Sequence, residues 1–157
     1  MMDIEFLPLP GSVVAQIRAS GIDAYGNPLE RHRSDGGGYP CRHCLTETPP
    51  GHDYLILAHR PFETRNPYAE TGPIFLCADD CPTAEPSARL PAILRADSYL
   101  VRGYSAGERI LYGTGKLVAT AGIADYAARL FEDRDIAFAD VRSASNNCFQ
   151  CRIRRAS

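Results

Sequence analysis

The stretch IAFADVR-SASNN-CFQCRIR, residues 136–154, decides the fold class of this chain. Its two flanks, residues 136–142 and 148–154, carry apolar side chains at short intervals, and the five residues between them are small or polar. Two runs of this kind joined by a short turn are typical of a β-hairpin. The pattern therefore predicts two neighbouring antiparallel strands near the carboxyl end of the chain.

Short strands and helices are also predicted outside this hairpin. Apolar runs of strand length predict strands at residues 4–7, 54–58, 74–77, 98–104 and 109–112. We expect Ser12 to cap a helix over 13–19 that ends at Gly21, because serine and glycine favour these two positions. The spacing of apolar residues predicts a second helix over 124–132. Residues 25–51 are rich in glycine and proline and are predicted to form a loop.

The order of these elements indicates the fold class. Strands and helices do not alternate regularly, as they would in a doubly wound parallel sheet. The length of 157 residues corresponds to one domain. The sequence therefore predicts an α+β fold, a single domain over residues 1–157 with a mostly antiparallel sheet, two short helices and long loops.

Composition narrows the classes of partner and location. The net charge of −2 disfavours a nucleic-acid binder, because such proteins carry an excess of basic residues. No apolar stretch approaches the ~20 residues that a membrane-spanning helix needs. The first residues, MMDIEFLPLPGS, lack the positive region of a signal peptide. We therefore expect a cytoplasmic protein with neither nucleic acid nor membrane as partner, and the sequence leaves its oligomeric state and other partners open.

Six cysteines form three closely spaced pairs, and two of these pairs have the spacing of a metal site. Zinc prefers four soft ligands in a tetrahedron, and pairs separated by two to four residues supply two ligands from one turn. The predicted zinc ligands are Cys41, Cys44, Cys77 and Cys81, with His43 and His52 as possible substitutes. Such a site would be structural, and the protein would then act as a binding or scaffold protein.

The third pair, Cys148 and Cys151, fits a shared ion less well. In a strand over 148–154 the side chains alternate, so the two sulfurs point to opposite faces. Phe149, Cys151 and Ile153 are predicted to lie together on the core face, with Cys151 acting as a small apolar residue. Cys148, next to the turn, remains free to join a cluster.

Other interpretations of the same residues remain open. A thiol–disulfide oxidoreductase would use Cys41 as nucleophile and Cys44 as the resolving thiol, with the charge of Arg42 and His43 favouring the thiolate. The cysteines could also form structural disulfides, which the expected cytoplasmic location disfavours. Alternatively, they are buried and inert.

A small-ligand pocket offers a further alternative. It would lie near the predicted strand end at His59 and Arg60, with Arg65 and Tyr68 on the next loop. Site residues often lie on loops at strand ends, but an ion pair between two loops explains these residues equally well.

Four short motifs resemble one known family. The motifs are Pro40-Cys41-Arg42-His43-Cys44-Leu45, Asn66-Pro67-Tyr68, Gly72-Pro73-Ile74-Phe75 and Asn147-Cys148-Phe149 with Arg154. In a chain of this length they are similar to the small bacterial family catalogued as domain of unknown function 1203. The resemblance extends over nearly the whole chain. It implies a stand-alone bacterial domain and no established activity, substrate or catalytic residue.

Overall fold

The computed structural model describes residues 2–157 as two antiparallel sheets and two short helices. The α+β class with mostly antiparallel pairing, predicted above, is confirmed. No helix among residues 2–157 is long and apolar enough to cross a membrane.

The larger sheet has five strands in the order β1-β8-β7-β5-β6. Its strands are β1 (Ile4–Leu7), β5 (Ser98–Tyr104), β6 (Lys116–Ala119), β7 (Phe138–Ser143) and β8 (Phe149–Arg155). The predicted hairpin is β7 and β8, which pair antiparallel in the interior of this sheet. The hairpin therefore organises the sheet, with β1 added on one side and β5 on the other.

A bulge in β8 changes which face its residues occupy. Val141 pairs with Cys151 and Arg142 pairs with Phe149, so Gln150 is an extra residue on β8. Because an extra residue reverses the alternation of side chains, Phe149 packs in a different core from Cys151 and Ile153. The prediction of a common core face for these three residues is therefore wrong for Phe149, although all three are buried.

The predicted strand over 109–112 is absent from the structure. Ile110 forms only an isolated bridge with Tyr104, and β5 pairs with β6 instead. Glu108 and Gly113, on either side of this segment, have positive φ values of 62° and 91°. These left-handed residues turn the chain before and after the segment, so extended pairing cannot continue.

The smaller sheet has three strands in the order β2-β3-β4. They are β2 (Glu30–Arg33), β3 (Asp53–His59) and β4 (Gly72–Cys77), and β3 is central as its apolar run predicts. Strand β2 lies inside the predicted loop. Its four residues are exposed and show no apolar alternation, and two of them, Arg31 and Arg33, contact the Asp53 carboxylate at 2.7 and 3.2 Å.

Each sheet packs against one helix. Helix α2 (Ile123–Leu130) follows a short 3-10 turn and buries Ile123 and Ala127 against the five-stranded sheet. Helix α1 (Gly11–Ser20) buries Val14 in a second core with the three-stranded sheet. Pro10, rather than Ser12, occupies the N-cap of α1, and the left-handed Gly21 ends the helix as predicted. This second core also contains Cys41, and it therefore positions the candidate site.

Candidate metal centre

Four cysteine sulfurs from two distant loops meet at one place. The Sγ atoms of Cys41 and Cys81 lie 3.8 Å apart, and those of Cys44 and Cys77 lie 3.9 Å apart. All four sulfurs lie within 4.8 Å of one another, so together they could hold a metal ion. The structure thus brings together the four cysteines that the spacing of the two pairs selected.

The first loop curls because of a short network of backbone hydrogen bonds. The Cys41 N–H donates to the Thr46 carbonyl, and the Leu45 N–H donates back to the Cys41 carbonyl, each at 3.0 Å. Leu45 takes a left-handed conformation, with φ of 57°, which reverses the chain immediately after Cys44. These contacts direct the side chains of Cys41 and Cys44 to the same side of the loop.

Strand β4 connects this loop to the second pair. Cys41 forms a bridge with Phe75, and the Arg42 N–H donates to the Phe75 carbonyl at 3.1 Å. Cys77 is the last residue of β4, so the first loop lies beside the end of the strand that carries the third sulfur. The Ala84 N–H donates to the His43 carbonyl at 3.0 Å and holds the segment after Cys81 against the first loop.

Two of the sulfur separations, 3.8 and 3.9 Å, match a tetrahedral metal site, and both are too long for a disulfide. Four thiolates at the zinc–sulfur distance of about 2.3 Å form a tetrahedron whose sulfurs are about 3.8 Å apart. A disulfide requires a sulfur–sulfur distance of about 2.05 Å. All six cysteines are free.

Several groups around the cluster can donate hydrogen bonds to the sulfurs. The Cys77 N–H donates to Cys41 Sγ at 3.3 Å, and Arg18 Nη2 on helix α1 donates to Cys81 Sγ at 3.5 Å. The Thr48 hydroxyl lies 3.6 Å from Cys77 Sγ. Donors of this kind stabilise the ionised form of a thiol.

His43 lies beside the cluster and orients towards one of its sulfurs. Its Nδ1 is 3.2 Å from Cys81 Sγ, and its Nε2 is 2.7 Å from the Thr83 hydroxyl. Burial, together with the charge of Arg18, lowers the pKa of His43, which keeps the ring neutral. A neutral ring that accepts from Thr83 at Nε2 carries its proton on Nδ1, where it can donate to Cys81.

The thiols of the cluster strongly affect one another's pKa. Contacts with Cys41 and Cys77 lower the pKa of Cys44, and contacts with Cys41 and Cys44 raise the pKa of Cys77. Burial raises the pKa of Cys81 to about 11. The Cys44 thiol therefore ionises easily, because neighbouring thiols donate hydrogen bonds to its sulfur. Ionisation of a second thiol in the cluster is opposed by repulsion between the like charges. A bound cation would remove this opposition.

The remaining predicted residues lie outside the cluster. His52 is exposed. Cys151 is buried in the core beneath α2, where burial raises the pKa of its thiol above the ordinary range. Cys148 is half-buried, and its sulfur contacts the Asn146 carbonyl at 3.7 Å. Arg18 is a site residue that the sequence analysis missed, since it is 63 residues from Cys81 and carries no local signal.

Three of the four residues of the predicted ligand pocket, His59, Arg60 and Arg65, line one cavity in the structure, and Tyr68 does not. His59 and Arg60 line a cavity beside helix α1, and Arg65 lines a second, more open one with them. Tyr68 lies elsewhere, because its hydroxyl contacts that of Tyr112 at 2.6 Å.

Comparison with known proteins gives one match. A family model described as protein of unknown function (DUF1203) matches residues 38–155, a range that includes all six cysteines. No curated protein and no solved structure matches the chain.

Proposed function

The chain belongs to the DUF1203 family of proteins of unknown function, and we propose that its Cys41, Cys44, Cys77 and Cys81 bind a structural zinc ion. The observation that supports the proposal is the separation of the sulfurs. Two independent pairs lie 3.8 and 3.9 Å apart, which is the spacing of ligands around tetrahedral zinc.

The chemistry of the surroundings also favours a tetrathiolate site. Four thiolates and one Zn²⁺ carry a net charge of −2, which is costly to bury without compensation. The guanidinium of Arg18, Nδ1 of His43 and the N–H of Cys77 all approach sulfurs of the cluster. Such contacts orient metal ligands and increase the affinity of the site.

A structural role follows from the number of ligands. Four protein ligands fill the tetrahedron, whereas catalytic zinc sites keep one position for water or substrate. When bound, zinc would crosslink the loop after Pro40 to the end of β4 and to the segment that carries Cys81. This crosslink would join segments that already pack around one apolar core.

A role as thiol oxidoreductase has less support. Catalytic thiols need partial exposure, and Cys41, the nucleophile in that interpretation, has 0% of its surface exposed. We further propose that the protein acts in the cytoplasm, without nucleic acid or membrane as partner. Reduced thiols are maintained in that compartment, and a thiolate site requires them.

Metal analysis of the purified protein tests this proposal directly. We expect one zinc per chain in the wild type, and loss of that zinc in the Cys44→Ser and Cys77→Ser variants. Cys148→Ser is the matched control, because Cys148 is half-buried but outside the cluster. It should keep one zinc per chain.

Thiol titration provides a second readout that does not depend on a variant folding. In the native protein the zinc-bound sulfurs and the buried Cys151 should be protected from the thiol reagent. After denaturation in the presence of a chelator, all six thiols should react. A native protein without zinc, with the thiols of the cluster freely reactive, would overturn the proposal. Stoichiometric iron in place of zinc would also overturn it, since thiolates bind iron as well.

A further inference from the structure

A cavity of about 320 Å³ lies between the start of α1, the loop after β3 and strand β8. Its volume falls at the lower end of the ~300–1,000 Å³ range of small-ligand sites. None of the six cysteines lines it. Any function of this cavity is therefore independent of the proposed zinc site.

Most of the cavity wall is apolar. Five apolar residues line it, namely Leu7, Leu9, Val13 of α1, Phe62 and Phe149. Side chains of this kind favour the apolar body of a ligand, because its burial removes apolar surface from water.

Two arginines present hydrogen-bond donors to this cavity. Arg60 Nε donates to the Phe62 carbonyl at 3.2 Å, and its two Nη groups have no hydrogen-bond partner among residues 2–157. The position of Arg152 is fixed by three hydrogen bonds. Its Nε and Nη2 donate to the Asp140 carboxylate at 2.7 and 3.0 Å, and Nη2 also donates to the Pro61 carbonyl. These hydrogen bonds use Nε and Nη2, and Nη1 forms none within that same part of the chain, so a positioned donor remains available.

His59 adds an uncharged polar group to the same wall. His59 lines this cavity, and no side-chain hydrogen bond of its ring is found within the described chain. Burial, followed by the charges of Arg60 and Arg152, lowers the pKa of His59 to about 4, so the ring is neutral at pH 7. A neutral ring supplies one N–H donor without adding charge.

The acidic groups near the cavity are occupied or peripheral. The Glu108 carboxylate accepts from the backbone N–H groups of Glu63 and Thr64, at distances of 2.8 to 3.2 Å. Glu63 also lines the cavity and is exposed to solvent. Asp140 is paired with Arg152. Apart from the exposed Glu63 carboxylate, the cavity groups left without partners are therefore donors, and a ligand with an acceptor satisfies them.

We propose that this cavity binds a small organic carboxylate with an apolar tail, with the carboxylate received by Arg60, Arg152 and His59. Planar guanidinium groups match the two oxygens of a carboxylate. Pro10 and Val13 at the start of α1 also line the cavity, and the first turn of this helix contains no acidic residue that would repel a carboxylate. The tail lies against the apolar wall.

Nuclear magnetic resonance titration of the purified protein with hexanoate tests the proposal, with 1-hexanol as the uncharged control ligand. Hexanoate should saturably shift the amide signals of His59, Arg60, Phe62, Glu63 and Phe149. It should bind about tenfold or more tighter than 1-hexanol, given the strength of charge-assisted hydrogen bonds. Arg60→Gln should remove this advantage. Arg65→Gln is the matched control, since Arg65 is an exposed loop arginine that does not line this cavity.

Three results would overturn the proposal. The first is equal binding of hexanoate and 1-hexanol, which would indicate an apolar cavity without recognition of the carboxylate. The second is hexanoate binding that Arg60→Gln leaves unchanged. The third is the absence of saturable shifts at residues 59–63. Zinc content is measured on the same samples, so a loss of metal is recognised separately from a loss of hexanoate binding.

Discussion

The sulfur of Cys41 lies 3.8 Å from that of Cys81, although forty residues separate them in the chain. The two are neighbours because Cys41 bridges to Phe75 in β4, two residues before the end of that strand. The four-sulfur cluster is thus built by pairing next to a strand end, and its consequences can be measured.

Removal of the metal should destabilise the protein strongly. Structural zinc sites contribute their binding free energy to folding. For a chain of this length 1 kcal/mol corresponds to a change in Tm of about 2–4 °C. We therefore expect treatment with a strong chelator to lower Tm by ~10 °C or more, as measured by circular dichroism. Cys148→Ser should respond to the chelator as the wild type does. An unchanged Tm after confirmed metal removal would contradict a structural role.

Arg18→Gln should weaken zinc binding without removing a ligand. The variant loses the donor 3.5 Å from Cys81 Sγ. Contacts outside the ligand set are typically worth ~10–100-fold in metal affinity. Competition with a chromophoric chelator measures this affinity. Arg89→Gln, which changes an exposed arginine, is the control and should bind zinc as the wild type does. Equal affinities of the two variants would argue against the contribution of Arg18.

His59 should make stability depend on pH in acid. Its pKa is lowered from 6.5 to about 4 in the folded protein, chiefly by burial and then by Arg60 and Arg152. Below pH 6.5 the unfolded chain therefore binds a proton that the folded chain does not. This contribution to stability is present above pH 6.5 and is lost as pH falls towards 4.

Comparison with His59→Gln isolates this effect from other titrating groups. The stability difference between wild type and variant should change by ~2–3 kcal/mol between pH 7 and pH 4, in the direction of a greater loss for the wild type. Urea denaturation at a series of pH values measures it. Parallel curves for the two proteins would show that His59 titrates normally.

The ion pair between Asp140 and Arg152 should be sensitive to the loss of one partner. Asp140 is fully buried, and Arg152 contacts its two oxygens at 2.7 and 3.0 Å. Breaking a buried pair leaves an uncompensated charge, which typically costs ~3–5 kcal/mol. Because the Arg152 side chain that loses its partner is 24% exposed, we expect Asp140→Asn to lower the free energy of unfolding by about 3 kcal/mol, the lower end of this range, in urea denaturation.

A pair on the surface of the same strand provides the control. Arg154 contacts Glu5 at 2.8 Å, but the Arg154 side chain is half exposed. Exposed pairs contribute about 0–1 kcal/mol. Arg154→Gln should therefore have little effect, and a similar effect of both substitutions would contradict the assigned importance of burial.

The parts of the fold that the sequence predicted are those with a local signal. The β7–β8 hairpin and the central strand β3 have apolar runs bounded by turns, and both were identified correctly. Strand β2 was missed because its residues are exposed and held by ionic contacts with Asp53. The bulge at Gln150, which turns Phe149 to the other core, depends on the register with β7 and has no signature in β8 itself.

The residues of the candidate site also divide into those with a local signal in the sequence and those without one. The spacing of Cys41 with Cys44, and of Cys77 with Cys81, indicated two pairs of ligands from the sequence alone. Arg18 and the orientation of His43 could not be predicted. Both are defined by contacts with Cys81, across 63 and 38 residues of intervening chain.

The amino-acid sequence by itself determined the short-range features of this protein: where chain reversals occur, which segments are apolar, and which thiols occur in pairs. Each depends on residues within a few positions of one another, and their physical causes act over that range. Only the tertiary structure decided that the two thiol pairs meet, and that His59, Arg60 and Arg152 face one cavity. Those arrangements depend on which strands pair and in which register, and the energy that selects the pairing comes from the two cores as a whole.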